Sequence, residues 1–208
     1  MKHLGILSIL FVTSVLDLSC KHNATEPAPD KPIAIFPNAV GNFWVYSELS
    51  QGSTQPETVT VRIVGDTIIL GNIPVKIWLT TYDAHIETTF VKGSSDTIEL
   101  IPKSFVNRNW GWDRYVFPLE VGRIWQGRYL PPYDTCSVVE VDTVSVPAGT
   151  FSNAYLIEET CLYPNTYLWV STWMVPKVGI TRQHSVGIDL GFQYDFTWEL
   201  LRYNVSPY

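Results

Sequence analysis

Charge is what this chain has least of. Only 16% of its 208 residues are charged, and its 14 basic side chains nowhere gather into a cluster. Against 20 acidic residues they leave a net charge of −6. An acidic chain without a basic stripe has little with which to neutralise phosphates, which argues against nucleic acid or an anionic lipid headgroup as partner. Long apolar runs are missing too. The longest, Leu4 to Leu16, has 13 residues, short of the roughly 20 needed to cross a bilayer as a helix. No long segment repeats with a helical period. There is no G-x-S-x-G, Ser/Lys or Cys/His arrangement, so no nucleophilic chemistry is legible and a non-enzymatic protein is expected, without a cofactor. Histidine is scarce, at four. His3 and His22 precede the folded part, and His184 follows Arg182. His85 shares a strand face with Glu87, and two ligands do not make a metal site.

What is present begins with a leader. Lys2 and His3 are followed by the apolar run, which fits the hydrophobic stretch of a secretory signal peptide over residues 1–19. Ser19-Cys20 resembles the end of a bacterial lipobox, in which lipid is attached to the cysteine. Asp17 stands where that pattern has an aliphatic residue. Residues 20–32 then read as a lipidated Cys20 and a flexible tether, because three prolines and no large apolar side chain cannot build a core. The expected location is the bacterial cell envelope, lipid-anchored to a membrane, with free secretion as the alternative.

The remaining stretch, 33–208, is long enough for one domain with a real core. It carries a repeat. Phe36-Pro37-Asn38-Ala39-Val40-Gly41-Asn42-Phe43-Trp44 returns as Phe117-Pro118-Leu119-Glu120-Val121-Gly122-Arg123-Ile124-Trp125. The shared pattern F-P-x-x-V-G-x-x-W implies two similar halves, roughly 33–116 and 117–208. A strand–turn–strand match follows in each half, aligning Asp66 with Asp142. A weaker match pairs Thr89-Phe90-Val91 with Leu168-Trp169-Val170. Gly41 and Gly122 suit a turn that side chains resist, and Trp44 and Trp125 read as core anchors.

Alternation with period 2 dominates the rest. Phe192, Tyr194, Phe196, Trp198 and Leu200 fall on one strand face, with Gln193, Asp195, Thr197 and Glu199 on the other. Tyr167 to Met174 is apolar on both faces. Ten to twelve strands with short connections are expected; a short helix over Lys103 to Asn107 is the less favoured reading of that segment. The fold class is all-β: an antiparallel sandwich, or a curved sheet closing into a partial barrel.

Cys136 and Cys161 form an even pair in an oxidising compartment. If Cys136–Val146 and Ser152–Cys161 are hairpin arms about Ala148-Gly149, the two cysteines face each other and a disulfide is expected. It would close a loop of roughly 25 residues, contributing on the order of 3 kcal/mol. On the same ribbon Glu140, Asp142, Glu158 and Glu159 read as a solvent-facing row, not as the paired carboxylates of a glycosidase.

The F-P-x-x-V-G-x-x-W motif, Val146-Pro147-Ala148-Gly149-Thr150-Phe151 and Val175-Pro176-Lys177-Val178-Gly179-Ile180 together resemble bacterial secreted lipoproteins of a kind common in Bacteroidetes-like organisms. That resemblance implies a curved antiparallel sheet, similar to those of periplasmic lipoprotein carriers, and supplies no activity.

Two ligand sites compete on the sequence. Trp110, Trp112, Asp113 and Tyr115 combine flat rings with polar neighbours, as a sugar-stacking surface requires. Trp169, Trp173, Phe196 and Trp198 are candidates for the lining of an apolar cavity. A glycan or an apolar small molecule is therefore the expected ligand. A structural role in an envelope protein complex, with a protein partner, is the alternative.

Overall fold

The structure, a computed structural model, describes residues 36–106, 113–127, 134–163, 166–189 and 192–206. Cys20, the leader and the tether lie outside them. In the first half the strands are β1 (Phe43–Ser50), β2 (Glu57–Ile69), β3 (Ile73–Thr81), β4 (Ile86–Gly93), β5 (Thr97–Pro102) and β6 (Asp113–Val116). The second half holds β7 (Ile124–Trp125), β8 (Asp134–Val146), β9 (Gly149–Tyr163), β10 (Thr166–Val175), β11 (Gly179–Asp189) and β12 (Phe192–Asn204). The segment after Pro102 holds a single 3-10 turn, Lys103–Phe105.

All twelve strands form one antiparallel sheet in the order β6-β5-β4-β3-β2-β1-β12-β11-β10-β9-β8-β7, curled into a nearly closed barrel. Each half is a meander. The halves meet at a full β1–β12 ladder, Phe43 opposite Asn204 through Ser50 opposite Phe196. On the far side the two edge strands, β6 and β7, face each other without a ladder. There the Trp125 indole donates to the Arg114 carbonyl at 2.9 Å.

The two motif copies share their glycine turn and its backbone hydrogen bonds, although Phe117-Pro118 is cis and Phe36-Pro37 is not. Gly41 and Gly122 sit at φ +95° and +87°, a conformation that side chains resist. Asn42 N donates to Ala39 O, and Arg123 N to Glu120 O. Gly41 N donates to Ile63 O, and Gly122 N to Val138 O. Ile63 N and Val138 N return bonds to Asn42 O and Arg123 O. One residue later both partner strands bulge, at Val64 in β2 and Val139 in β8. Phe36 and Phe117 are both buried in the main core. That core runs through the barrel interior and includes Trp44, Tyr46, Val59, Ile63, Trp78, Ile98 and Leu200.

The halves then diverge. Beyond Val139, β9 carries a second bulge, with Ser152 and Asn153 lying opposite Thr143. Bulges bend and twist a ribbon, and the β8–β9 tip folds back onto the barrel. Ala148 N donates to Leu200 O at 2.9 Å, Arg182 Nη2 donates to Ser145 O at 3.1 Å, and Val146, Ala148 and Phe151 pack on the core. The β2–β3 hairpin has no second bulge. It projects past the end of β1 with Ile68 and Leu70 at 67% and 62% exposure.

The cysteine pairing needs correction. The tight turn is Pro147-Ala148, since Val146 already opposes Gly149. Moving the turn centre by one position moves the register by two. Cys136 therefore faces Glu159, and Cys161 faces Asp134. The cysteines are diagonal neighbours, farther apart than directly opposed positions, and both are buried as thiols with no disulfide between them. Register also turns Glu159 to the same face as the buried Cys136, so it leaves the expected solvent row.

Candidate functional site

A cleft of about 190 Å3 opens inside the barrel. Period-2 alternation builds it. Trp44 and Tyr46 point inward from β1, Trp78 and Thr80 from β3, and Glu87 and Thr89 from β4. Tyr115 of β6, Gln183 of β11 and Trp198 of β12 close the remaining wall, with Phe36 and Tyr82 contributed by loops.

The rings are packed on one another. Phe36 stacks on Trp78 at 5.6 Å between centroids, and Trp78 lies 5.5 Å from Trp44. Tyr46 and Trp198 are 5.2 Å apart. Their polar tips are all engaged. Trp44 Nε1 donates to Val178 O at 2.6 Å, and Tyr46 OH to Ile180 O at 2.9 Å. Trp78 Nε1 donates to Asn38 Oδ1 at 3.1 Å, and Trp198 Nε1 to Glu48 Oε2 at 2.6 Å. Ring carbons thus form the walls, while Thr80, Thr89, Gln183 and the Glu87 carboxylate supply the polar groups.

Electrostatics at one end of the cleft are acidic. Burial pushes the Tyr82 phenol well above its ordinary range, and the carboxylates of Glu87, Glu48 and Glu57 push it further. Tyr46 is pushed up as well, by burial first and then by Tyr115. His85 stacks on Tyr82 at 4.4 Å and lies 3.4 Å from Glu87. Among the described residues no three His, Cys, Asp or Glu side chains gather as a metal site would need.

The expected site residues are scattered. Trp110 and Trp112 lie outside the described residues. Asp113 opens β6 opposite Leu100. Tyr115 is a core side chain and cleft wall, 8% exposed, so it is no part of an open sugar platform. Of the other quartet only Trp198 lines the cleft. Trp169 is well exposed, Trp173 lies beside the Arg182 guanidinium, and Phe196 touches Trp198 at 6.2 Å. Sequence reasoning did not assign Trp78, Tyr46, Tyr82 or Glu87 to a site. The alternation of β1 and β3 marks the first two as inward-facing, but nothing local marks them as walls of one space.

No protein-family model matches the chain, and neither does any curated protein. Two solved structures are similar in outline. One is a protein of Bacteroides fragilis classed as exported and as having a YmcC-like fold. It is 14% identical, with a TM-score of 0.48 over 82% of this chain and 98% of its own. The other, from Parabacteroides distasonis, is classed as a lipoprotein. It is 12% identical, with a TM-score of 0.41 over 81% of this chain and 97% of its own. Likeness at this level transfers no activity and no site residue.

Proposed function

We propose that this is a non-enzymatic, lipid-anchored protein of the bacterial envelope whose barrel holds a small ring-shaped ligand, a single sugar ring, in the aromatic cleft. One observation carries the reading: Trp44, Tyr46, Trp78 and Trp198 direct their polar tips into the protein, which leaves bare ring carbon beside Glu87, Thr80 and Thr89. Sugar C–H faces pack on such carbon, and hydroxyls seek carboxylate and hydroxyl partners. Size discriminates between the candidate ligands. Sites for drug-sized molecules run from about 300 Å3 upward, and this cleft has about 190 Å3, too little for an acyl chain. The anchor is supported by Ser19-Cys20 and the proline-bearing tether.

Tryptophan fluorescence of the purified protein, titrated with monosaccharides, short glycans and fatty acids, tests the proposal. A saturable response to a sugar is expected, weakened at least tenfold in Trp198→Ala and in Glu87→Gln. A response confined to fatty acids, or one indifferent to both substitutions, would sink it.

A second reading, a component of an envelope complex, is favoured by the outer face of β9 to β11. Leu162 opposes Tyr167, and Tyr167 opposes Ile188. All three are exposed, with Trp169 two residues along. Contiguous apolar side chains of this kind mark protein contacts.

A further inference from the structure

The β2–β3 hairpin has chemistry that the ligand cleft leaves unexplained. Past Ile63 and Lys76 its arms pair only with each other among the described strands. Beyond Asp66 and Lys76 three residue pairs, ending at Ile69 opposite Ile73, make a two-stranded ribbon projecting roughly 10 Å before the turn. At its base Asp66 and Lys76 form an ion pair. Between them, residues 67–75 hold no charge: Thr, Ile, Ile, Leu, Gly, Asn, Ile, Pro, Val. Ile68 and Leu70 are largely exposed, and Ile69 and Ile73 are partly so. Two-stranded ribbons are marginal in water, and this one offers water its most apolar end. Its counterpart at β8–β9 avoids that exposure by folding back onto the core.

We infer that the β2–β3 tip inserts into the surface of the bilayer that carries the protein. Three observations choose lipid as the occupant. The tip lies at the end of the barrel where the chain arrives, since Phe36 stacks on Trp78 and Trp78 pairs with Ile63. The fifteen residues from 21 to 35 reach at most about 50 Å from Cys20, so the tether brings this end to the membrane without fixing its height. Apolar residues flanked at the base by a lysine match the layering of a bilayer interface, with Lys76 level with the headgroups. Pro74 removes a backbone donor from the ribbon and weakens it as a template for strand addition by another chain. Which surface is near rests on the anchor reading proposed above; the chemistry of the tip stands apart from it.

The test uses the full chain, expressed with its leader and purified as exported. A thiol-reactive fluorophore is placed through Leu70→Cys, in the turn that follows β2, or through Thr58→Cys at the opposite end of β2. Cys136 and Cys161 are buried and stay dark. Vesicles of neutral phosphatidylcholine carry a doxyl quencher in their acyl chains. The label at 70 should be quenched and the label at 58 should not. Adding Ile68→Asp should weaken the vesicle response about tenfold or more. An unquenched label at 70, or equal quenching at 58, overturns the inference. Self-quenching at 70 in lipid-free solution as protein concentration rises assigns the tip to a second copy and also overturns it. The intact mass at Cys20 reports lipidation separately, so a missing anchor and a tip that ignores lipid are told apart.

Discussion

The two halves of the barrel start from the same nine-residue motif, share the backbone hydrogen bonds of its turn and bulge at the same place, yet end differently. In the second half an additional bulge folds the long hairpin back onto the core. In the first half the hairpin has no second bulge and exposes Ile68 and Leu70. The junctions differ as well: a full ladder joins β1 to β12, while an indole hydrogen bond spans β6 and β7. A motif conserves the way into a half-sheet, and single inserted residues decide where its hairpin goes.

The motif tryptophans should separate the halves most widely. Trp44 is fully buried and bonded to Val178 O, and Trp125 is only half-buried. Trp44→Ala should cost about 3–5 kcal/mol in urea unfolding, and Trp125→Ala roughly half as much. The second change should also speed amide exchange in β6, which lies at the side-chain-closed seam, and in its neighbour β5. Equal losses would mean that the seam matters as much as the ladder.

Glycine should erase the difference. Nothing lies within 4 Å of a Cβ added at Gly41 or Gly122, so only the positive φ opposes a side chain. Gly41→Ala and Gly122→Ala should each cost about 1 kcal/mol or somewhat more, and by the same amount. An unequal pair would break the equivalence of the two turns.

Arg182 tests the folded-back hairpin. It reaches both Glu199 and Ser145 O from a partly exposed position, so Arg182→Met should cost under about 1 kcal/mol. The loss should appear mainly as faster exchange at Ala148 N–H, with no change at the β2–β3 tip.

The last difference vanishes at neutral pH. Tyr46 and Tyr82 both belong to the first half, and burial holds both phenols protonated above their ordinary range. The folded state thus keeps protons that the unfolded chain releases near pH 10. Stability is intact below that pH and falls as pH rises beyond it. A double Tyr46→Phe, Tyr82→Phe variant should lose stability less steeply above pH 10, as followed by circular dichroism.

Much of this architecture is legible in the sequence, for identifiable reasons. Phe, Pro, Gly and Trp at fixed offsets are rare residues with demanding geometry, so the repeat shows. Register is less legible. Placing the turn on Ala148-Gly149 in place of Pro147-Ala148 misaligns the pairs outside the two bulges by two and those between the bulges by one, and it aligns two cysteines that are diagonal. The match of Thr89 with Leu168 selects the right strands and misses by four: Thr89 faces Trp78, and its counterpart facing Ile157 is Thr172. The cleft is least legible. Its walls come from residues as far apart as Phe36 and Trp198, and only barrel curvature brings them together. Alternation tells which side chains face inward and not which of them share a space.

The Asn42 side chain gives the near-closure of the barrel one more consequence. Its Oδ1 accepts from Ser206 N at 2.8 Å, so the last described residues lie against the first motif. The covalent order of the two meanders is thus a matter of where the ring was cut. A chain opened between Val116 and Phe117, with its old ends joined by a short linker, would present the same barrel with its halves exchanged.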